Sequence, residues 1–315
     1  MAWVTWRQNR IQLLACGTVL MAIALLALAT GPAIRDAFQQ QQLATCLPPA
    51  SRSGCEIIVR HFQSEHATLP LVARYLVFVP ALIAVFVGAP LLARELEHGT
   101  YRLAWTQGVT RRRWLLSQTL LLVAATVVGA LALSAIVMWW RLPFDRLEGR
   151  MSPNRFEIEG VVVPAYALFA LALGVFSGAL LKRTVPAMTA ALAAFVAVRL
   201  AVANFLRPHY LPPERDTAVG LTPSAHAHDW MLSNRLVDAV GRQISASREN
   251  LAIEHAQNAR IDAQEYLLSL GWRRAVSFQP ADRFWTFQAI EAAIFVGLAA
   301  AIILVTLRLV QRTPA

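Results

Sequence analysis

Three ionisable side chains lie inside long apolar runs: Arg74 in residues 70–93, Arg199 in 184–206 and Glu291 in 285–307. A charge in hydrocarbon is costly, so such groups are paired, face water or mark an ion path. Each falls within the first two turns from the same side of the layer, about 6–10 Å deep at ~1.5 Å per residue. Equal depth and opposite sign predict that Glu291 pairs with Arg199 or Arg74. That pair could gate a transport path, or it could be a structural lock between helices; the residues alone leave both open. Cys46 and Cys55 stand nine positions apart beside Pro48-Pro49 and Gly54. A disulfide is expected between them if their loop faces an oxidising compartment. Cys16, inside an apolar run, reads as a small packing residue. His226-Ala227-His228-Asp229, with His209 and His255 further off, has metal-ligand chemistry. The plainer reading is a polar loop, and we assign no metal site.

Other chemistry is excluded by composition. Lys182 is the only lysine and is followed by Arg183, so GxxxxGK[ST] cannot occur and the chain has no phosphate loop of its own. HExxH, GxSxG and CxxC are absent as well. We therefore expect no catalytic residues and no cofactor in this chain.

The elements that carry these residues are membrane helices. Of 315 residues, 57% are hydrophobic and 15% charged, and mean hydropathy is +0.47. Soluble domains run to about 25% charged residues. Six runs reach the roughly 20 residues that cross a bilayer: 11–30, 70–93, 114–140, 161–181, 184–206 and 285–307. The first is longer than a signal-peptide core and is read as a retained span. With both termini inside, segments 1–10, 94–113, 182–183 and 308–315 hold eleven basic and two acidic residues. Outer segments 31–69, 141–160 and 207–284 hold sixteen of each. The positive-inside rule fixes that orientation. It also explains a pI near 10.6 without a nucleic-acid partner. The triplet Arg111-Arg112-Arg113 abuts the third span, where anionic lipid is the natural partner. Trp3 and Trp6, Trp114, Trp139-Trp140 and Trp285 mark the interfaces. Gly174 and Gly178 form a GxxxG in the fourth span, suited to close helix packing.

Segment 207–284 is far longer than a connector requires. Leu232, Leu236, Val237, Val240 and Ile244 recur at helical spacing and predict an amphipathic helix over 230–247. A second helical stretch is expected over 251–270, stopped by Gly271, and 272–278 reads as extended. The fold expected is thus an all-α integral membrane protein of six transmembrane helices with a small helical extracytoplasmic cap. Its units are the first span (1–30), an outer loop (31–69), the second and third spans (70–140), an outer loop (141–160), the fourth and fifth spans (161–206), the cap (207–284) and the sixth span with its tail (285–315).

Segment 94–113 is the one sizeable inner loop. Gly99 can end the helix before it and Thr100 can cap a short helix after it. Tyr101, Leu103 and Trp105 would stud that helix with apolar knobs that have no core to enter, which implies a partner surface. The same rings could also rest in the headgroup layer.

Here the sequence resembles a family. Glu95-x-Glu97-x-Gly99-Thr100 after the second of six spans, with Leu103 and a basic residue near Arg111, is similar to the coupling-helix region of ATP-binding-cassette exporter permeases of the type-2 family. Leu103-Ala104-Trp105-Thr106-Gln107, Arg113-Trp114, the stretch Leu180 to Met188, and Phe278 to Gln288 running on to Glu291 resemble its actinobacterial branch. The resemblance covers the chain in layout and about a sixth of it in residues. A proline near Gln107 or Gly108 and a lysine near Gln118, frequent in the family, are absent, and the segment before the first span is short. The resemblance implies a multi-pass subunit of the bacterial cell membrane that works with a second permease, identical or homologous. Two copies of a separate P-loop ATPase would carry ATP and Mg. The residues that would engage the ATPase are Glu95, Glu97, Gly99, Thr100, Tyr101, Leu103, Trp105 and Gln107. Two other readings stay open: a non-transporting sensor or assembly subunit with a ligand-binding cap, and an ion-coupled transporter using Glu291.

Overall fold

The structure is a computed structural model that describes residues 2–47, 54–97, 111–218 and 228–312. Among these, six helices are long and apolar enough to cross a membrane: Arg10–Gln40, Val79–Glu97, Thr119–Glu148, Val162–Leu181, Thr184–His209 and Ala281–Gln311. The membrane portion is all-α, as its composition requires.

Helix α1 (Ala2–Gln40) carries Pro32 without a break, which a membrane helix tolerates when neighbours satisfy the freed groups. It packs on the third span: Trp140 Nε1 donates to Thr30 Oγ1 at 2.9 Å, and the Arg35 guanidinium lies 3.9 Å above the Trp139 ring. Most of its length is otherwise exposed. The chain turns at Gln42 in a left-handed conformation, and Cys46 is disulfide-bonded to Cys55 at the start of α2 (Cys55–Glu65).

The second span is a chain of short helices rather than one rod. Helix α3 (Thr68–Leu76) stops at Val77–Phe78. Helix α4 (Val79–Ile83) restarts with Pro80 in its first turn, where the missing N–H costs nothing. A π-helical turn (Ala84–Gly88) then leads to α5 (Ala89–Glu97). Helix α6 (Arg111–Glu148) forms the third span, and a short loop carries one helical turn, α7 (Pro153–Phe156).

Helix α8 (Val162–Leu181) is the axle of the bundle, buried on nearly every face among α4–α6, α9 (Thr184–Ala201) and the sixth span. Its alanines and glycines make this possible by letting backbones approach. A Cβ on Gly174 would meet the carbonyl oxygen of Ala84 at 2.5 Å and the nitrogen of Ala89 at 2.7 Å. One on Gly178 would meet the carbonyl oxygen of Ala89 at 2.7 Å. The GxxxG is therefore the seam between the second and fourth spans. Ala84, Ala89 and Ala93 are fully buried along the second span's side of it.

The cap differs from the expected pair of helices. Strands β1 (Glu214–Ala218), β2 (Trp230–Val237) and β3 (Arg273–Gln279) form an antiparallel sheet in the order β1-β3-β2. Helices α10 (Ala246–Asn258) and α11 (Ala263–Ser269) accompany it. The 230–247 helix fails because its apolar residues belong to two pieces of a turn. Asp238 Oδ1 accepts from the backbone N–H groups of Val240 and Arg242, and Gly241 takes φ +85°. Leu236 and Ile244 then meet in one small core with Ala252 and Leu267. The second helical stretch is likewise split into α10 and α11, with Ser245 and Asp262 capping their starts. Gly271 does stop it, at φ +74°. After β3, a 3₁₀ turn (Ala281–Arg283) leads into α12 (Phe284–Arg312), the sixth span.

Candidate functional site

The site is a buried ionic network at the end of the bundle that carries the cap, built from α8, α9 and its extension, α12 and the loop before α8. Helix α9 does not end with the apolar run. A π turn (Val202–Leu206) and a 3₁₀ turn (Arg207–His209) carry it outward and swing Arg207 into the core. Arg207 is almost fully buried, and Glu291 and Tyr166 are completely so. Arg207 Nε donates to Glu291 Oε2 at 2.8 Å and its Nη2 to Oε1 at 2.7 Å, a two-pronged clasp of one carboxylate. Tyr166 Oη donates to Glu291 Oε1, and Tyr210 Oη donates to Oε2 at 3.0 Å.

The network continues through the loop. Glu157 Oε1 accepts from Arg207 Nη2 at 2.9 Å, and Glu157 Oε2 accepts from Arg199 Nη2 at 2.7 Å. Arg199 also donates from Nη1 to the carbonyl of Val77 at 2.9 Å. That carbonyl is freed where the second span breaks, so the break and the buried arginine satisfy each other. The Arg199 guanidinium lies 4.4 Å above the Tyr166 ring, and that of Arg207 lies 4.7 Å from the Phe156 ring. Two guanidiniums face two carboxylates, so the cluster is formally neutral. Arg207 Nη1 is buried with no hydrogen-bond partner among the described residues.

A second cluster lies on the other side of the same loop. Glu159 accepts from Arg141 Nε and Arg150 Nε, both at 3.0 Å, and Arg141 reaches Asp145 at 3.4 Å. Gln288 stitches the loop to the sixth span by accepting from the N–H of Val162 and donating to the carbonyl of Phe156. Gly160, at φ +72°, leaves the space that Gln288 fills: a Cβ there would lie 2.5 Å from Gln288 Oε1. Outside the spans, burial and the Glu291 carboxylate raise the Tyr210 phenol above its ordinary pKa. Burial lowers the pKa of Arg155, which pairs with Glu148.

The expected pairing of Glu291 with Arg199 or Arg74 is corrected. Its partner is Arg207, one residue past the end of the apolar run, because the helix persists through the π turn. Arg199 joins the network only through Glu157. Arg74 is exposed and makes no ion pair among the described residues. Sequence reasoning missed Arg207, Glu157, Glu159 and Tyr166. The available signal was Phe156-Glu157-Ile158-Glu159, two carboxylates alternating with apolar residues in a loop too short to hold them away from the bundle.

At the opposite end of the spans, Glu97 Oε2 accepts from the N–H of Thr184 at 3.0 Å and from its Oγ1 at 2.7 Å. It thereby caps the start of α9 from another helix, where the macrodipole favours an anion. Glu95 is half-buried on α5. Gly99, Thr100, Tyr101, Leu103, Trp105 and Gln107 lie outside the described residues, as does His226. Among the described residues no group of three or more His, Cys, Asp or Glu is placed to hold a metal. His228 Nε2 instead lies 3.3 Å from the carbonyl of Leu147.

A network of this kind can lock three elements together, or hold a polar, water-accessible point in the half of the bundle nearer the cap. Comparison with known proteins adds a family. A family profile described as "ABC-2 membrane transporter related" matches residues 17–207, more than half of the chain. No curated protein and no solved structure matches it.

Proposed function

The chain belongs to the ABC-2 membrane transporter related family, and from that premise we propose that it is the membrane-spanning permease subunit of an ATP-driven exporter. The observation that carries this reading is the family match over residues 17–207, which run from the first span through the fifth. Energy would come from a separate P-loop ATPase, in two copies, holding ATP and Mg. The lack of any GxxxxGK[ST] in this chain accords with that division. A second permease, identical or homologous, would complete the membrane path in the bacterial cell membrane.

The handle would be the inner loop. Glu95 and Glu97 close the second span, and Gly99 to Gln107 follow. Closure of the ATPase dimer would pull on Tyr101, Leu103 and Trp105 and tilt the spans, a coupling that requires two membrane states with different affinity for ATP. Because Glu97 also caps α9, a pull on the loop would reach the fourth-to-fifth connection directly.

The test is copurification. Full-length chain solubilised from its native membrane is expected to bring down a P-loop ATPase in stoichiometric amount. Tyr101→Ala with Trp105→Ala is expected to cut that yield about tenfold, as loss of aromatic hot spots does. Undiminished ATPase recovery from the double variant would remove the coupling loop from the proposal. Absence of any ATPase from the native preparation would remove the exporter.

A further inference from the structure

The sheet of the cap carries a feature that the membrane network does not use. Residues directly opposite in an antiparallel sheet share a face. Arg215 faces Ser277, which faces Ser233; Thr217 faces Ala275, which faces Arg235; Arg273 follows on the same face, opposite Val237. Between the flanking arginines Arg215 and Arg235 the central strand presents the small residues Ala275 and Ser277, with its own Arg273 at one end. Small residues between large ones make a trough, and a pocket of about 620 Å³ lies there. That is the size of a small-molecule site.

The charge of this face is unbalanced. Three other arginines of the cap are paired: Arg242 with Asp238, Arg274 with Glu249, Arg283 with Glu214. The side chains of Arg215, Arg235 and Arg273 have no ion pair or hydrogen bond among the described residues. Asp216 is the one acidic residue lining the pocket. Alternation turns it to the opposite face, where its Oδ1 accepts from the N–H of Thr217 at 2.7 Å. The sequence between β1 and β2, residues 219–227, contains no Asp or Glu that could neutralise the face.

We propose that this trough is a binding site for a phosphate-bearing ligand. Guanidinium forks match phosphate oxygens in pairs. The hydroxyls of Thr217, Ser233 and Ser277 add donors, and a phosphate has more acceptor oxygens to meet them than a carboxylate has. The same chemistry is offered by a soluble phosphomonoester and by the headgroup of an anionic phospholipid. The site is independent of the exporter reading, since binding to the purified chain requires no ATPase.

The experiment uses the full-length chain in nanodiscs of phosphatidylcholine, titrated with glycerol 3-phosphate by calorimetry. In parallel, nanodiscs of equal parts phosphatidylcholine and phosphatidylglycerol are analysed for retained lipid by native mass spectrometry. Arg215→Gln with Arg235→Gln is the test variant. Arg248→Gln, whose guanidinium lies over Trp272 away from the trough, is the control. Unchanged melting of both variants confirms folding. Saturable phosphate binding, weakened about tenfold or more by the double change and by high salt, supports the site with a soluble ligand. Selective retention of phosphatidylglycerol by the native chain and not by the double variant, without phosphate binding, supports it with a lipid ligand. Binding that is equal in the native and double-variant proteins, or absent in both arms, overturns it.

Discussion

Glu291 is held by four donors from three residues, and each of those residues is itself anchored elsewhere. That makes the carboxylate the hub of the buried network. Breaking a buried pair on one side leaves a charge with no compensation, at a cost of about 3–5 kcal/mol, whereas replacing both partners with apolar groups is often neutral. Glu291→Gln is therefore expected to lower the melting temperature in detergent sharply, because Arg207 would retain only the partly exposed Glu157. Glu291→Leu combined with Arg207→Met is expected to recover much of the loss. A double variant as unstable as the single one would mean that the network contributes more than charge balance. Tyr210 supplies a pH signature. Its folded pKa is raised above the ordinary value of 10.0, by burial first and Glu291 second. Its contribution to stability is thus whole below about pH 10 and is lost as pH rises past it. Tyr210→Phe should flatten the alkaline fall in stability; an identical fall in both proteins would assign it to other groups. The sequence announced Glu291 and Arg199 because ions in apolar runs stand out. It hid Arg207, since hydropathy ends the run at Leu206, and it hid Glu157, because a short polar loop looks solvated until its apolar neighbours are seen to pull it inward.

At the scale of elements, the second and fourth spans meet backbone to backbone. Gly88, Gly174 and Gly178 leave no room for a methyl group, whereas Gly17 and Gly129 have nothing within 4 Å of an added Cβ. Gly174→Ala is expected to cost roughly 1–3 kcal/mol through overpacking against the Ala84 carbonyl and the Ala89 nitrogen. Gly129→Ala should be neutral or slightly stabilising, because alanine restricts the unfolded chain. Thermal unfolding of the two variants side by side checks the contrast, and equal melting would show that the spans can separate at no cost. This seam was legible as a GxxxG, but its partner was not, because small residues are frequent in every span. The cap shows the opposite case. Its 3.6-residue period over Leu232 to Ile244 is real, yet the Asp238–Gly241 turn cuts it and pairing with β3 makes Trp230–Val237 a strand. Spacing alone could not register that β3, about forty residues further on, would supply the ladder.

The whole molecule is polarised across the membrane, and several independent features point the same way. The basic excess lies in residues 1–10, 94–113, 182–183 and 308–315. The Cys46–Cys55 disulfide lies on the opposite side, with the cap and the buried network. Disulfides persist in oxidising compartments and positive charge stays inside, so both predict a cap outside the cell. The second rests on the structure and not on charge, which makes the orientation a joint prediction. With Cys16 replaced by serine, Cys46 and Cys55 left in their disulfide, and a single cysteine introduced at Ser247, a membrane-impermeant maleimide should label intact cells. The same reporter at Thr110 should label only after the membrane is opened. Labelling in the reverse pattern would place the inner loop on the outside, out of reach of any cytosolic ATPase. It would end the exporter reading while leaving the fold, the glycine seam and the Glu291 network untouched. The orientation therefore separates what this chain is built like from what it is built to do, and it needs no knowledge of the substrate.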